Sequence, residues 1–307
     1  MHHVRTTLTA IVLLASAALA ATSCSSSSGG SSARAARRAS ATASTTPPAR
    51  PTAEVDRTVE VDGARMHITC RGEGDVTVVL VAGFGNGGDA WAPITDDVAS
   101  MARVCTYDRF GTGTSDPAPA TQTFATQARS LQRLLRAAGE PGPYVVVGHS
   151  FGGVVAATYT SAHPDDVEGL LLLDASPADW NRTTCAVPDL GTSATDIWKT
   201  TCEMQSGPTH NPESLDGTAA FAGAAEIDGF GSVPLIVDQA ADEGYRSQGL
   251  PADVGDHLTE VWDRGQRRWA SMSTDVTLKR VPGTTHQIYV DQPAVVIDQI
   301  RTLVEGA

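Results

Sequence analysis

The sequence predicts an α/β domain built on a mostly parallel β-sheet with helices on both faces, and three observations carry that prediction. Apolar runs without polar alternation recur at Val76–Ala82, Val104–Tyr107, Tyr144–Val147 and Gly169–Leu173, as in strands buried on both faces. Segments of helical period separate these runs. A glycine-rich turn, Gly148–Gly153, joins one run directly to a helical segment, at the carboxyl edge where ligands of such sheets collect.

The first residues precede this pattern. Arg5 and two histidines lead into an apolar run of 14 residues, Leu8–Ala21, shorter than the roughly 20 that a membrane-spanning helix needs. Residues 1–23 therefore read as a secretory signal. Ala18-Leu19-Ala20 would suit ordinary signal peptidase, whereas Ala21-Thr22-Ser23-Cys24 resembles a lipobox in which Cys24 is lipidated, with Ala21 where Leu is usual. The lipoprotein reading is favoured over soluble secretion, because Cys24 stands just after the apolar run and opens a Ser/Gly stretch of flexible composition. Residues 24–53 are Ser, Ala, Thr, Pro and Arg without periodicity and are expected to be a disordered tether. The localisation implied is extracytoplasmic, at the outer face of the cell membrane.

The 307-residue chain carries a formal charge of −13, unevenly placed. Five arginines and no acid lie in the first 53 residues, so 17 basic and 35 acidic residues, a charge of −18, fall on residues 54–307. Nucleic acid is excluded as a partner on this ground, since binding it depends on basic groups displacing counterions.

Within 54–307, Thr58–Val61 and Met66–Cys70 flank the turn signal Asp62-Gly63-Ala64-Arg65 and read as a hairpin. Val76–Ala82 is the third strand, Asp89–Met101 a helix and Val104–Tyr107 the fourth strand. In Gln122–Ala138 the residues Phe124, Ala128, Leu131, Leu134, Leu135 and Ala138 share one helical face, stopped by Gly139. The strand Tyr144–Val147, a small-residue helix from Gly152 to about His163 and the strand Gly169–Leu173 follow. From about 175 to 232 the rhythm breaks, with two cysteines, several Pro and Gly, and modest helical patterning at Glu213–Ala225. This stretch is the expected inserted lid. The pattern resumes with the strand Pro234–Val237, a helix around His257–Ser271, the strand Val276–Val281 and a last helix from Pro293 to about Val304.

Gly148-His149-Ser150-Phe151-Gly152 lies between a strand and a helix, the context a Gly-x-Ser-x-Gly nucleophile elbow requires. The sharp turn strains the serine backbone and leaves no room for side chains at Gly148 and Gly152. A serine needs a base to take its proton. Among the histidines beyond the signal, His149 belongs to the elbow and is expected to point away from the site of attack. His67 lies in an early strand, and His163, His210 and His257 fall in helices or the lid. His286 follows the last strand, at the carboxyl edge where Ser150 projects, and is the candidate base. Two acids end strands at that edge, Asp174 and Asp242, and either could orient the imidazole and stabilise its cation. Asp174 is preferred because it ends a buried strand, where an unpaired carboxylate is costly; Asp242 stands among acids of a solvated loop. An oxyanion needs two converging N–H groups. Phe151 supplies one, and the glycine-rich loop Ala82–Gly88, through Phe84, is expected to supply the other. That loop lacks the Lys and Ser of a phosphate-binding P-loop.

Together these residues resemble the α/β-hydrolase superfamily over essentially all of 54–307. The segment Tyr107–Asp116, with Asp108-Arg109-Phe110-Gly111-Thr112-Gly113-Thr114-Ser115, looks like the family's Asp-Arg-x-Gly-x-Gly-x-Ser strand end, and His286 sits ahead of Asp291-Gln292-Pro293 as the family histidine does. The chain departs in having Ala82 before Gly83, where many members have His, and Asp238 in the strand before Asp242. The resemblance implies an eight-stranded sheet of order 1-2-4-3-5-6-7-8 with the first strand antiparallel, a lid, and an acid after either of the strands that precede Asp174 and Asp242. It makes Cys70 and Cys105 neighbours on adjacent strands. Cys185 and Cys202 both fall in the lid, so two disulfides, Cys70–Cys105 and Cys185–Cys202, are expected outside the cytoplasm, each contributing about 3–4 kcal/mol. No cysteine or histidine spacing points to a metal, and no cofactor is implied.

The function implied is a serine hydrolase acting on esters or related small acyl compounds. Acyl transfer and cofactor-free peroxidase chemistry use the same triad. A non-catalytic ligand receptor or envelope binding protein on this fold is the rival from another class. Haloalkane dehalogenase and epoxide hydrolase chemistry is disfavoured, because those members use Asp where this chain has Ser150.

Overall fold

The computed structural model describes residues 52–184, 202–203, 207–242 and 252–307. The expected signal and tether, with Cys24, lie outside them, as do Cys185 and part of the expected lid. Eight strands form one sheet: β1 Val55–Val61, β2 Ala64–Arg71, β3 Thr77–Val81, β4 Arg103–Tyr107, β5 Tyr144–His149, β6 Val167–Leu173, β7 Leu235–Ala240 and β8 Val276–Val281, in the order β1-β2-β4-β3-β5-β6-β7-β8. The described helices are α1 Ala92–Ala99, α2 Phe124–Ala138, α3 Phe151–Ala162, α4 Trp180–Thr184, α5 Gly217–Ala225, α6 Ala252–Ala270, α7 Ile288–Asp291 and α8 Pro293–Glu305.

The order is the expected one, but the expected direction of the first strand is corrected. β2 is antiparallel to both β1 and β4, so β2, and not β1, runs against the rest. The cause is a tight hairpin. Asp62 and Gly63 both take positive φ, 55° and 84°, the two-residue turn that suits the strand twist. Ala64 and Arg65, expected in the turn, already pair with Val61 and Glu60. Register then sets Cys70 directly opposite Cys105, and the two are bridged. Cys202 is disulfide-bonded, while its expected partner Cys185 lies outside the described residues.

Apolar runs without alternation feed two cores at once, since successive strand residues point to opposite faces. Val79, Val81, Val146, Leu170 and Leu172 join the core under α2, α3 and α6. Val78, Leu80, Val145, Val147, Leu171 and Leu173 join the core under α1 and α8. α2 begins at Phe124 because Thr123 caps it, its hydroxyl accepting from the Thr126 N–H, and it ends at Gly139 in the left-handed conformation. β8 closes one edge with Val276 and Leu278 exposed; Lys279 and Arg280 beside them oppose edge-to-edge pairing.

β7 runs three residues beyond its expected end at Val237, and this buries Asp238 between Leu173 and Lys279 in the register. Its Oδ1 accepts from Gln299 Nε2 at 2.9 Å, while Oδ2 has no hydrogen-bond partner. Burial pushes its pKa up to about 6, against the opposing pull of Gln299 and Lys279. The folded state therefore binds this proton more tightly than the unfolded chain, and stability falls as pH rises from about 4 through about 6, by about 3 kcal/mol in total. Asp238→Asn is isosteric and neutral. It should raise the thermal midpoint at pH 7.5 and lose that advantage at pH 4.5; an equal gain at both would contradict the assignment.

Candidate active site

The elbow between β5 and α3 has the strained geometry its glycines suggest. Ser150 sits at φ 54°, ψ −124°, a region costly for a residue with a side chain. A Cβ on Gly152 would lie 2.2 Å from the Val81 carbonyl oxygen, and one on Gly148 would lie 2.6 Å from that of Gly152. The turn is pinned by the Ser150 N–H, which donates to Leu173 O at 3.0 Å, and by the Ser150 carbonyl, which accepts from Ser176 N.

Ser150, His286 and Asp174 are brought together. The Ser150 hydroxyl meets His286 Nε2 at 2.9 Å, and His286 Nδ1 meets Asp174 Oδ2 at 2.6 Å. Asp174 ends β6 with no exposed surface. Its other oxygen accepts from the Ala240 N–H at 3.0 Å and from Trp262 Nε1 at 2.8 Å. Three donors thus surround a buried carboxylate, the arrangement that can stabilise an imidazolium next to it. Asp242 is not brought to the imidazole: it is exposed, and its N–H donates to Thr284 O at 3.1 Å. The loop that carries His286 is held by Asp291, whose Oδ2 accepts from both the N–H and the hydroxyl of Thr285 at 2.7 Å.

His149 has a role that the elbow motif does not announce. Its ring packs against that of His286, with centroids 4.6 Å apart, and its Nε2–H donates to the His286 carbonyl at 2.8 Å. Burial, reinforced by repulsion from His286, pushes its pKa down to about 3. It is therefore a neutral donor that fixes the backbone of the neighbouring histidine.

The two expected oxyanion residues also meet. Phe151 opens α3, where N–H groups lack intrahelical partners, and its ring lies 5.3 Å from that of Phe84. Arg109, buried, donates from Nη1 to Ala82 O at 2.5 Å and from Nη2 to Gly83 O at 2.7 Å. It pairs bidentately with the buried Glu213 at 2.8 Å for both bonds, and Glu213 Oε1 accepts from the Gly85 N–H at 2.7 Å. Burial alone would lower the Arg109 pKa, but the charge and hydrogen bond of Glu213 outweigh it and hold it above its ordinary value.

Glu213, Trp262 and His149 are the residues that sequence reasoning missed. Glu213 and Trp262 carry no motif; only the lone acid at the start of an apolar helical stretch could have drawn attention to Glu213. Of the remaining histidines, His67 bonds Asp56 Oδ1 and His163 bonds Gln132, while His257 lies on α6. Cys70, Cys105 and Glu140 lie within metal-ligand spacing, but the sulfurs are bridged and Glu140 pairs with Arg103. That group is structural.

Comparison with known proteins gives the same fold. Residues 76–191 match the profile of the alpha/beta hydrolase fold. The chain is 27% identical over 246 residues, 80% of its length and 90% of the relative's, to the uncharacterized protein YqjL of Bacillus subtilis. It is 38% identical over 102 residues, about a third of either chain, to RutD of Yersinia enterocolitica, provisionally named a carbamate hydrolase. Its structure superposes on a thermophilic esterase from Thermogutta terrifontis with a TM-score of 0.55 at 21% identity, covering 83% of this chain and 98% of that one.

Proposed function

The chain has the α/β-hydrolase fold, and we propose that it is a serine hydrolase cleaving carboxylic esters or related small acyl compounds. The observation that carries this reading is the continuous hydrogen-bonded line from Ser150 Oγ through His286 to the buried Asp174. Ser150 Oγ attacks the carbonyl carbon while His286 Nε2 takes its proton, and Asp174 stabilises the imidazolium that forms. The N–H groups of Phe84 and Phe151 receive the oxyanion. His286 then returns the proton to the leaving group, and water, activated by the same imidazole, releases the acid. The esterase and carbamate hydrolase among the similar proteins act on acyl compounds by name, which agrees with this chemistry.

A panel of short- and medium-chain p-nitrophenyl esters tests the activity. Turnover by the wild type that disappears in Ser150→Ala supports it. Absence of turnover across the panel, with specific stabilisation by a ligand, would instead favour a binding protein on the same fold.

The protein is further proposed to act outside the cytoplasm, anchored through a lipid on Cys24. The apolar run Leu8–Ala21, the cysteine just after it and the Cys70–Cys105 bridge support this. Among the described residues no helix is long and apolar enough to cross a membrane. In the producing cell, wild type should fractionate with membranes and Cys24→Ala should not; equal membrane retention of both would contradict the anchor.

A further inference from the structure

We infer that Arg109 and Glu213 are positioning residues for the oxyanion hole, an inference that rests on the serine-hydrolase reading of Ser150. A trans peptide unit is planar, so its carbonyl and its N–H point in opposite directions. The Gly83 carbonyl and the Phe84 N–H share one such unit. Arg109 Nη2 holds that carbonyl at 2.7 Å and thereby fixes the Phe84 N–H on the far side of the loop from the guanidinium. The next unit joins the Phe84 carbonyl to the Gly85 N–H, and Glu213 Oε1 holds that N–H at 2.7 Å. The two members of one ion pair thus hold both peptide planes around Phe84, with the Asn86 N–H sharing the Gly83 carbonyl at 3.1 Å.

The same guanidinium reaches the other donor residue. Its central carbon lies 5.3 Å from the centroid of the Phe151 ring, within the range of a cation–π contact. One buried cation therefore touches both residues whose N–H groups receive the oxyanion. Glu213 is in turn anchored to α2 by Gln127 Nε2 at 3.0 Å.

The alternative is that Glu213 merely ties its own segment to the domain. That segment has other ties to the domain: the Gln122 N–H donates to Ser214 O, and the Asp216 N–H donates to Gln122 O. An ion pair buried for stability alone has little advantage over apolar residues of similar volume. What apolar residues could not do is hold two carbonyls and an N–H of the loop at fixed angles.

The test uses Glu213→Gln and Arg109→Lys in the full chain, with active sites counted by fluorophosphonate titration. Three quantities are measured: kcat and KM on a p-nitrophenyl ester, and affinity for a trifluoromethyl ketone, whose adduct with Ser150 places an oxyanion in the hole. Positioning predicts a fall in kcat of about 10- to 100-fold, a nearly constant KM, and a loss of ketone affinity by the same factor as kcat/KM. A lowered thermal midpoint with kcat per titrated site and ketone affinity unchanged would overturn the inference. Should both variants fail to fold, Gln127→Leu, which loosens only Glu213, should show a smaller loss with the same pattern, and unchanged kinetics there would overturn it. A wild type inert to fluorophosphonate would instead mark failure of the underlying serine-hydrolase reading.

Discussion

Asp174→Asn is expected to lower kcat/KM by about four orders of magnitude, whereas Asp242→Asn should leave it within about threefold. The asymmetry follows from what each carboxylate touches. Asp174 presents one oxygen to His286 Nδ1 at 2.6 Å and the other to Ala240 N and Trp262 Nε1. An asparagine there can still accept hydrogen bonds, but it brings no charge to balance the imidazolium. Its amide would also present a donor to Nδ1 and select the tautomer in which Nε2 carries the proton and cannot act as base. Asp242 is exposed, and it meets the histidine loop through its backbone. Side-by-side kinetics of the two variants on one ester decide the matter, and comparable losses in both would contradict the assignment of Asp174.

The largest expected effect on stability lies far from the site, at Glu140. Arg103 opens β4 and Glu140 follows the end of α2; their side chains are 1% and 0% exposed. Two hydrogen bonds join them, Nη2 to Oε1 at 2.6 Å and Nε to Oε2 at 3.1 Å, and Arg103 Nη1 donates to Gly72 O. Glu140→Ala strands a buried guanidinium and should destabilise the domain by about 3–5 kcal/mol. Urea unfolding measures this. The exposed pair Arg264–Glu260 on α6 is the control, since Arg264→Ala should cost about 0.5 kcal/mol or less. The double variant Arg103→Met with Glu140→Leu should lose much less than the sum of the single changes, because the unpaired charge is removed with its partner. A loss at Glu140→Ala no larger than the control would show the pair to be worth little.

The parts legible in the sequence were those governed by local pattern. Strands buried on both faces announce themselves as unbroken apolar runs, and α2 was marked by its apolar face and by Gly139. Ser150 and His286 were legible because the elbow is local and the histidine follows the last strand. Asp174 is preferred for its burial at a strand end, and its carboxylate lies against His286 Nδ1. Elements set by tertiary register were harder to read. The direction of β2 depends on a two-residue turn at Asp62-Gly63 and on pairing with a strand some 35 residues away. β7 outruns its apolar run because the strand continues through Asp238, a polar residue that it buries at a cost in stability. Arg109 stands in the sequence only as part of the Asp-Arg-x-Gly-x-Gly-x-Ser segment; its partner Glu213 comes from 104 residues further along the chain, and no spacing rule joins them. Likewise Trp262 reaches Asp174 across 88 residues, and His149 holds His286 by a ring orientation that the elbow motif does not specify.

The most direct test of the account is where a fluorophosphonate lands. Peptide mass mapping of the wild type after treatment should find one adduct per chain, on the peptide containing Ser150, with Ser150→Ala unmodified and His286→Ala modified far more slowly. Equal modification of wild type and Ser150→Ala, or an adduct on any other residue, would contradict the assignment of Ser150 as the nucleophile.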